Sequence, residues 1–281
     1  MKKKFNIGVD VGGTFTDLVL MDTNSNLLCL RKSPTNVNNP ELGIIACIEK
    51  AAEHLNVSKE YLLENCEKFV HGTTAATNAL LTNKGAKIGL LTTKGFRDSL
   101  SFRRGFRENV WDHRAAYPTV LADRFLRFPI EERIDANGHE ETKLSKNDIQ
   151  KAVSFFKREK IESLAICFIN SYLNASHEKK ARILLGKKGL EIPIFLSSEI
   201  APIIGEYERS STTCVNAYIH PVVTSYLKEL EKRLRAIRYK NSIHLVQSNG
   251  GMTDIKQAIR TPISLVLSGP AAGASTGCIY A

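Results

Sequence analysis

The chain has 281 residues, enough for one large or two medium domains with a proper core. Its 43% hydrophobic content is that of a folded globular protein, and no apolar run approaches the length of a membrane span. The 39 Lys and Arg against 29 Asp and Glu leave a net charge of +10, but the basic residues are spread along the chain with acidic neighbours. Between Lys228 and Lys240, for example, Glu229–Arg233 and Glu231–Arg235 are spaced i,i+4, as on a solvated helix face. That distribution argues against a nucleic-acid-binding stripe. The basic Met1–Lys4 start runs into a strand, not a signal-peptide apolar core, so a cytoplasmic chain is expected. The six cysteines form no C-x-x-C pair and read as reduced thiols used as small core residues.

In chain order, Phe5–Val11 and Thr16–Met21 read as buried strands and Leu27–Arg31 as a third, forming an antiparallel meander. Between the first two lies Gly8-Val9-Asp10-Val11-Gly12-Gly13-Thr14-Phe15-Thr16-Asp17. Two glycines let backbone N–H groups approach an anion, Thr14 and Thr16 add hydroxyls, and Asp10 and Asp17 add carboxylates suited to hydrated Mg²⁺. This is half of a phosphate clamp, or an ordinary hairpin turn. Pro40 opens a helix to about His54. Phe69–Leu81 reads as a strand, a glycine turn and a helix whose orphan N–H groups suit an anion. Lys87–Leu91 is a strand, and the arginine-rich, aromatic stretch Phe96–Pro118 has no period.

Phe128–Ile134 is expected as an edge strand. Ser145 with Asp148 caps a helix to about Glu159. Ser163–Ile169 and Ile192–Leu196 are strands flanking a helix over His177–Lys188. A long helix from Tyr207 to about Arg238 should be kinked or divided at Pro221. Ile243–Gln247 and Ile263–Leu267 are read as strands, ending in Ser248–Gly251 and Ser268–Gly273. Strands alternating with helices indicate an α/β layered fold with a partly parallel sheet. Glycine or hydroxyl turns at Gly12, Gly72, Gly250 and Gly269 therefore fall where α/β folds bind ligands.

Gly8–Asp17, His71–Leu81, Glu206–Thr213 with Asn216–Tyr218, Gln247–Gly251 and Ser268–Gly273 together resemble the hydantoinase A/oxoprolinase family, in order and over nearly the whole chain. The family includes ATP-dependent hydantoin- and 5-oxoproline-hydrolysing enzymes and ATP-binding subunits of acetone and acetophenone carboxylases. The resemblance implies an actin-like ATPase (ribonuclease-H-like) lobe over residues 3–199 and an incomplete second lobe over 200–281. It implies ATP and Mg²⁺ as cofactors. Asp10, Gly12, Gly13, Thr14 and Thr16 would belong to the first phosphate loop, with Asp10 facing the metal. His71, Gly72, Thr73 and Thr74 would lie at the cleft, and Ser268 and Gly269 would join the nucleotide site.

The implied activity is ATP-dependent hydrolysis of a cyclic amide of the hydantoin or 5-oxoproline class. The alternatives are the ATP-binding subunit of an acetone/acetophenone-type carboxylase, or a non-catalytic remnant that binds a partner subunit. Family members carry a second glycine-threonine-aspartate loop, and no second copy occurs in these residues. The expectation is an N-terminal portion completed by a hydantoinase B-type subunit or a C-terminal half.

Lesser candidates remain open. His71 is an acid/base or a structural histidine. Asp112–His113 has no second metal-ligand pair. Ser210–Thr213 reads as a helix cap rather than a nucleophile. Arg97, Arg103, Arg104, Arg107 and Arg114 bind an anion or, with Phe106 and Trp111, dock a partner.

Overall fold

The computed structural model describes residues 4–25, 27–36, 38–106, 109–112, 114–115 and 118–271. The chain separates into two compact units, Met1–Lys84 with Ile219–Ala281, and Gly85–Tyr218. The strands and helices match the expected α/β class, with no helix among the described residues long and apolar enough to cross a membrane.

The first unit begins with β1 (Phe5–Val11), β2 (Phe15–Asp22) and β3 (Leu28–Pro34), followed by α1 (Glu41–His54) and α2 (Lys59–Glu64). Next come β4 (Cys66–Thr73) and α3 (Ala75–Leu81). Alternate residues of β1 and β2 are buried, the pattern of strands with one covered face. β1, β2 and β3 form the antiparallel meander, and β4 joins β1 in parallel. Helix α1 lies on β2 and β3, bringing Ile44, Cys47, Ile48 and Ala51 into the core with Leu18 and Leu20. Gly43 makes that approach close. A β-carbon there would stand 2.6 Å from Thr16 Oγ1, an atom held in the interior by a 3.0 Å bond to Thr35 Oγ1.

The second unit holds β5 (Ile88–Thr93), α4 (Ser99–Phe102), β6 (Arg127–Ile130), β7 (Arg133–Ile134), β8 (Glu140–Thr142) and α5 (Lys146–Glu159). It continues with β9 (Ser163–Cys167), α6 (Ser176–Lys187), β10 (Ile194–Leu196) and α7 (Ser197–Ile200). Its four-stranded sheet, in the order β10-β9-β5-β6, is parallel throughout. Every residue of β5 and β9 is buried, as in a sheet covered on both faces. Ile149, Ala152, Val153 and Phe156 of α5 and Ala181 and Leu185 of α6 fill the core. Ser145 caps α5, its Oγ accepting from Asp148 N at 3.2 Å, and Lys160 ends it in the left-handed region.

Helix α8 (Glu206–Ala236) then carries the chain back to the first unit, where β11 (Ile243–Val246), β12 (Met252–Asp254) and α9 (Ile255–Arg260) follow. β11 pairs in parallel with β4, giving the sheet order β12-β11-β4-β1-β2-β3, a ribonuclease-H-like layout. The sheet of the first unit thus draws strands from both sides of residue 200.

Three expectations from sequence change, and a fourth, that Pro221 kinks or divides its helix, loses its second half. Pro221 does not divide α8. A proline at 221 has no N–H for the Ala217 carbonyl, and Ser163 Oγ donates to that carbonyl instead, at 2.7 Å. Ser210–Thr213 lie inside α8 rather than capping it, and Thr213 Oγ1 donates back to Arg209 O. Residues Ile263–Leu267 are not a strand, because Pro262 opens a 3-10 turn over Pro262–Leu265. Gly72 lies within β4, paired with Asp10, rather than in a turn beyond it. The cysteine expectation holds for Cys29, Cys47, Cys66, Cys167 and Cys214, all free and buried, while Cys278 lies outside the described residues.

The Gly43 contact gives a stability prediction. Alanine in a helix gains about 0.5–1 kcal/mol over glycine, but overpacking against a fixed neighbour costs about 1–3 kcal/mol. Gly43→Ala is therefore expected to destabilise the chain, and adding Thr16→Ala to restore most of the loss, in urea denaturation of the single and double variants.

Candidate functional site

The first strand ends in a closed turn. Gly12 N donates to Phe15 O at 3.0 Å, and Thr14 O accepts from Thr35 N at 2.9 Å. A β-carbon on Gly13 would meet nothing within 4 Å, so this side of the turn is open, and Thr14 is exposed beside it. Thr16 faces the other way, fully buried and bonded to Thr35, so its hydroxyl does not join the open turn.

Asp10 stands opposite Asp17 on β2 and beside Gly72 on β4. A β-carbon on Gly72 would come within 2.9 Å of Asp10 Oδ1, so glycine is what admits the carboxylate there. Asp10 is exposed as a residue, but partial desolvation raises its carboxyl above the ordinary range, and the charge of Asp17 adds to this. Asp17 itself is paired with Lys32 at 3.2 Å.

The β4–α3 junction meets the same turn. Thr74 donates through both N and Oγ1 to Val11 O, at 3.3 and 3.1 Å. Thr73 Oγ1 accepts from Ala75 N at 3.2 Å, and Asn78 Nδ2 donates to Thr74 Oγ1 at 3.1 Å. From far along the chain, Ser268 Oγ donates to Thr73 O at 3.2 Å and Leu267 N to Thr77 Oγ1 at 3.1 Å. Gly269 follows, with open space where a β-carbon would sit. Gly12–Thr14, Asp10, Gly72–Thr74 and Ser268–Gly269 are thus neighbours at one end of one sheet.

His71 is fully buried between backbone and helix. Its Nδ1 lies 3.4 Å from Val9 O and its Nε2 2.6 Å from Tyr226 Oη. Burial lowers its pKa to about 4, so the ring is neutral. The proton on Nδ1 serves the Val9 carbonyl, and Nε2 accepts from the tyrosine. Both nitrogens are committed, which favours the structural reading of His71.

A cavity of about 580 Å³ opens on this side. Val11–Gly13, Thr73–Ala75 and Asn78 line it, together with Thr35, Asn38–Glu41, Lys84 and, from α8, Val222, Ser225, Tyr226 and Glu229. Sequence reasoning missed Glu41, Tyr226 and Glu229. Tyr226 falls on a helical stripe that reads as core, and the only signal was that a buried tyrosine hydroxyl needs a partner. Asp10, Thr14, Thr16, His71, Gly72, Ser268 and Gly269 do not line the cavity.

The second unit has its own buried polar network. His177 is held by Glu132 on Nδ1 and Glu140 on Nε2, both at 2.7 Å, and Glu132 also accepts from Thr93. Glu178 accepts from Phe168 N, Ser197 Oγ and Ser198, while Arg209 donates to Ser171, Ser197 and Phe168 O. The arginines of the 96–118 stretch are engaged separately, Arg97 with Arg124 O and Arg104 with Glu208 at 2.5 Å. Arg107 and His113 lie outside the described residues. Among the described residues no group of three or more His, Cys, Asp or Glu is disposed to hold a metal ion.

The state of His71 has a pH consequence. Its folded pKa of about 4 lies below its ordinary 6.5, so between these values the unfolded chain binds more protons. The associated stability is fully present above pH 6.5 and declines by about 3 kcal/mol as pH falls to 4. His71→Gln is expected to flatten that part of the profile in denaturant titrations between pH 4 and 7.

Comparison with known proteins gives consistent relatives. The chain is 38% identical to an uncharacterized protein of Methanocaldococcus jannaschii, over 96% of this chain and 39% of the relative. It is 33% identical to the caprolactamase subunit alpha of Pseudomonas jessenii, over 100% of this chain and 40% of the relative. The structure of the ATP-dependent caprolactamase from that organism superposes with a TM-score of 0.85, over 95% of this chain and 39% of that one. A nucleotide-free acetone carboxylase shares the fold, with a TM-score of 0.86 at 24% identity over 97% of this chain and 40% of that one. The chain therefore spans about 40% of the length of these relatives. Residues 6–189 match the hydantoinase/oxoprolinase N-terminal region and residues 209–278 match hydantoinase/oxoprolinase, so the chain belongs to the hydantoinase/oxoprolinase family.

Proposed function

We propose that this chain is the N-terminal, phosphate-handling part of an ATP-dependent enzyme that hydrolyses a cyclic amide. The observation that carries the reading is the meeting of three separate segments at one sheet end: Gly12–Thr14, Asp10 with Gly72–Thr74, and Ser268–Gly269. The open face at Gly13 suits backbone donation to a phosphate, and the Gly72 gap admits the Asp10 carboxylate. With no cage of protein ligands among the described residues, Mg²⁺ would arrive with the nucleotide and meet Asp10 through water.

In this chemistry ATP phosphorylates the amide oxygen and so activates a poor electrophile towards water, with positioning and charge neutralisation as the protein's contribution. Thr14 would add a donor, and Thr74, bonded through N and Oγ1 to Val11 O, and the buried Thr73 would hold the junction beside it. His71 would hold the β4 end in place from the interior, and Thr16 would anchor the turn to α1. The P. jessenii relative, a caprolactamase subunit, supports amide hydrolysis. The acetophenone carboxylase gamma subunit of Aromatoleum aromaticum, 29% identical over 98% of this chain, keeps phosphorylation of an enolate oxygen as a second reading. Both names describe subunits, which supports a partner polypeptide here, in a cytoplasmic enzyme.

Because one phosphate turn is half of a clamp, the chain by itself is expected to bind Mg-ATP only in the millimolar range, about −4 kcal/mol. Amide-resolved NMR titration should still move the Gly12–Thr14 signals. Gly13→Val enters open space, so it should leave the melting temperature unchanged and abolish that response. Submicromolar binding by the chain alone would overturn the half-clamp reading, and unmoved Gly12–Thr14 amides would overturn the phosphate assignment.

A further inference from the structure

The second unit buries a positive charge that its own groups do not fully answer. Arg127, at the start of β6, is only 1% exposed. Its N–H donors are partly spent. Nε donates to Ala122 O at 2.9 Å, and Nη1 to Ser101 Oγ at 2.7 Å and Arg97 O at 3.5 Å. Nη2 is buried and has no hydrogen-bond partner among the described residues. The neighbouring carboxylate does not make up the difference. Asp98 Oδ1 stands 3.8 Å from Nη1, and both Asp98 oxygens accept from Arg124, through Nε and Nη2 at 2.9 Å each. Arg97 and Arg124 add to the positive field at Arg127, and burial lowers its pKa, as for a cation without a counter-charge of its own. Unspent donors and an unmatched charge in the interior are both costly, so the arrangement is short of one anion.

A cavity of about 270 Å³ lies against this group, wholly within Gly85–Tyr218. One wall is the end of α4, Leu100 and Arg103, and Ser101 between them is an Nη1 acceptor. A second wall is residues 118–121, and Ala122, which follows, is the Nε acceptor. The third is a face of α8 with Tyr207, Ser211 and Cys214, and Cys214 is within electrostatic reach of Arg127. Arg127 is therefore tied to every wall from behind. Burial holds the Cys214 thiol well above its ordinary range, so it adds no negative charge. Arg103 is a second cation, Tyr207 and Ser211 offer hydroxyls, and Leu100 and Leu121 supply apolar surface. The volume is just under that of drug-sized ligand sites and suits a molecule of a few carbons.

We propose that this cavity binds a short-chain monocarboxylate, with its carboxylate at the inner end facing Arg127 Nη2 and Arg103 and its alkyl chain against Leu100 and Leu121. A single negative charge answers the surplus, whereas a second would be repelled by Asp98. The site is independent of the phosphate reading, whose residues belong to the first unit.

The test is an amide-resolved NMR titration of the chain with butyrate, at an ionic strength held constant with chloride. Butyrate is expected to move the Leu100, Ser101, Ser211 and Cys214 amides. Butyramide, similar in shape but uncharged, should bind about tenfold more weakly or worse. Sulfate at equal concentration should not displace butyrate. Arg127→Met removes the charge and keeps an unbranched side chain, and should weaken butyrate by a similar factor. Thr119→Trp fills the cavity from an exposed wall position. It should abolish the butyrate response at an unchanged melting temperature, and it keeps the test valid if Arg127→Met does not fold. Equal binding of butyrate and butyramide, displacement by sulfate, or an undiminished response in either folded variant overturns the proposal. So does the absence of any butyrate response at about 20 mM.

Discussion

The parallel pairing of β1 with β4 is the constraint on which the first unit depends. It sets Val9 beside His71 and Asp10 beside Gly72 in one register. A slip of one residue would exchange the two faces. His71 would lose the interior position from which it reaches Tyr226, and Asp10 would be driven inwards as a buried carboxylate. The same register brings Thr74 to the Val11 carbonyl and so ties the β4–α3 junction to the glycine turn. Everything attributed to the site, on either face, follows from this one alignment.

The alignment is held by side chains that have no freedom left. His71 is neutral because it is buried, and being neutral it can accept from Tyr226 while donating to Val9. Burial drives the ionisation of Tyr226 well above the ordinary range, so its hydroxyl keeps the proton that it donates to His71. Glycines occupy the places where strands or helices come closest, at Gly43 against Thr16 and at Gly72 against Asp10. Close approach, rather than unusual backbone angles, is what these two positions require.

The second unit solves a different problem, that of charge inside a covered parallel sheet. Glu178 and Arg209 are both fully buried. They are linked through Ser197, which donates to the carboxylate and accepts from the guanidinium. Backbone groups of Phe168 complete the arrangement on both sides. Such a network fixes the geometry around the ends of β9 and β10, because leaving one of its charges unpaired costs several kcal/mol. The carboxylates that flank His177 tie α6 to the β7–β8 ribbon in the same manner.

Local pattern alone determined the α/β class, the β1–β2–β3 meander, the Ser145 cap on α5 and the glycine turn after β1. Each is encoded within a few residues by alternation, capping chemistry or the need for a missing side chain. The family wording was also local, since it lies in short runs such as Gly8–Asp17. Tertiary structure decided what depends on distant partners. It kept α8 whole through Pro221 by supplying Ser163 to a carbonyl 54 residues away. It turned Thr16 inwards while its neighbour Thr14 stayed exposed, and it brought Ser268 to Thr73 across 195 residues. It also made Glu41 and Tyr226 into a cavity wall, because helical spacing shows which residues share a face but not which of them meets an unfilled space.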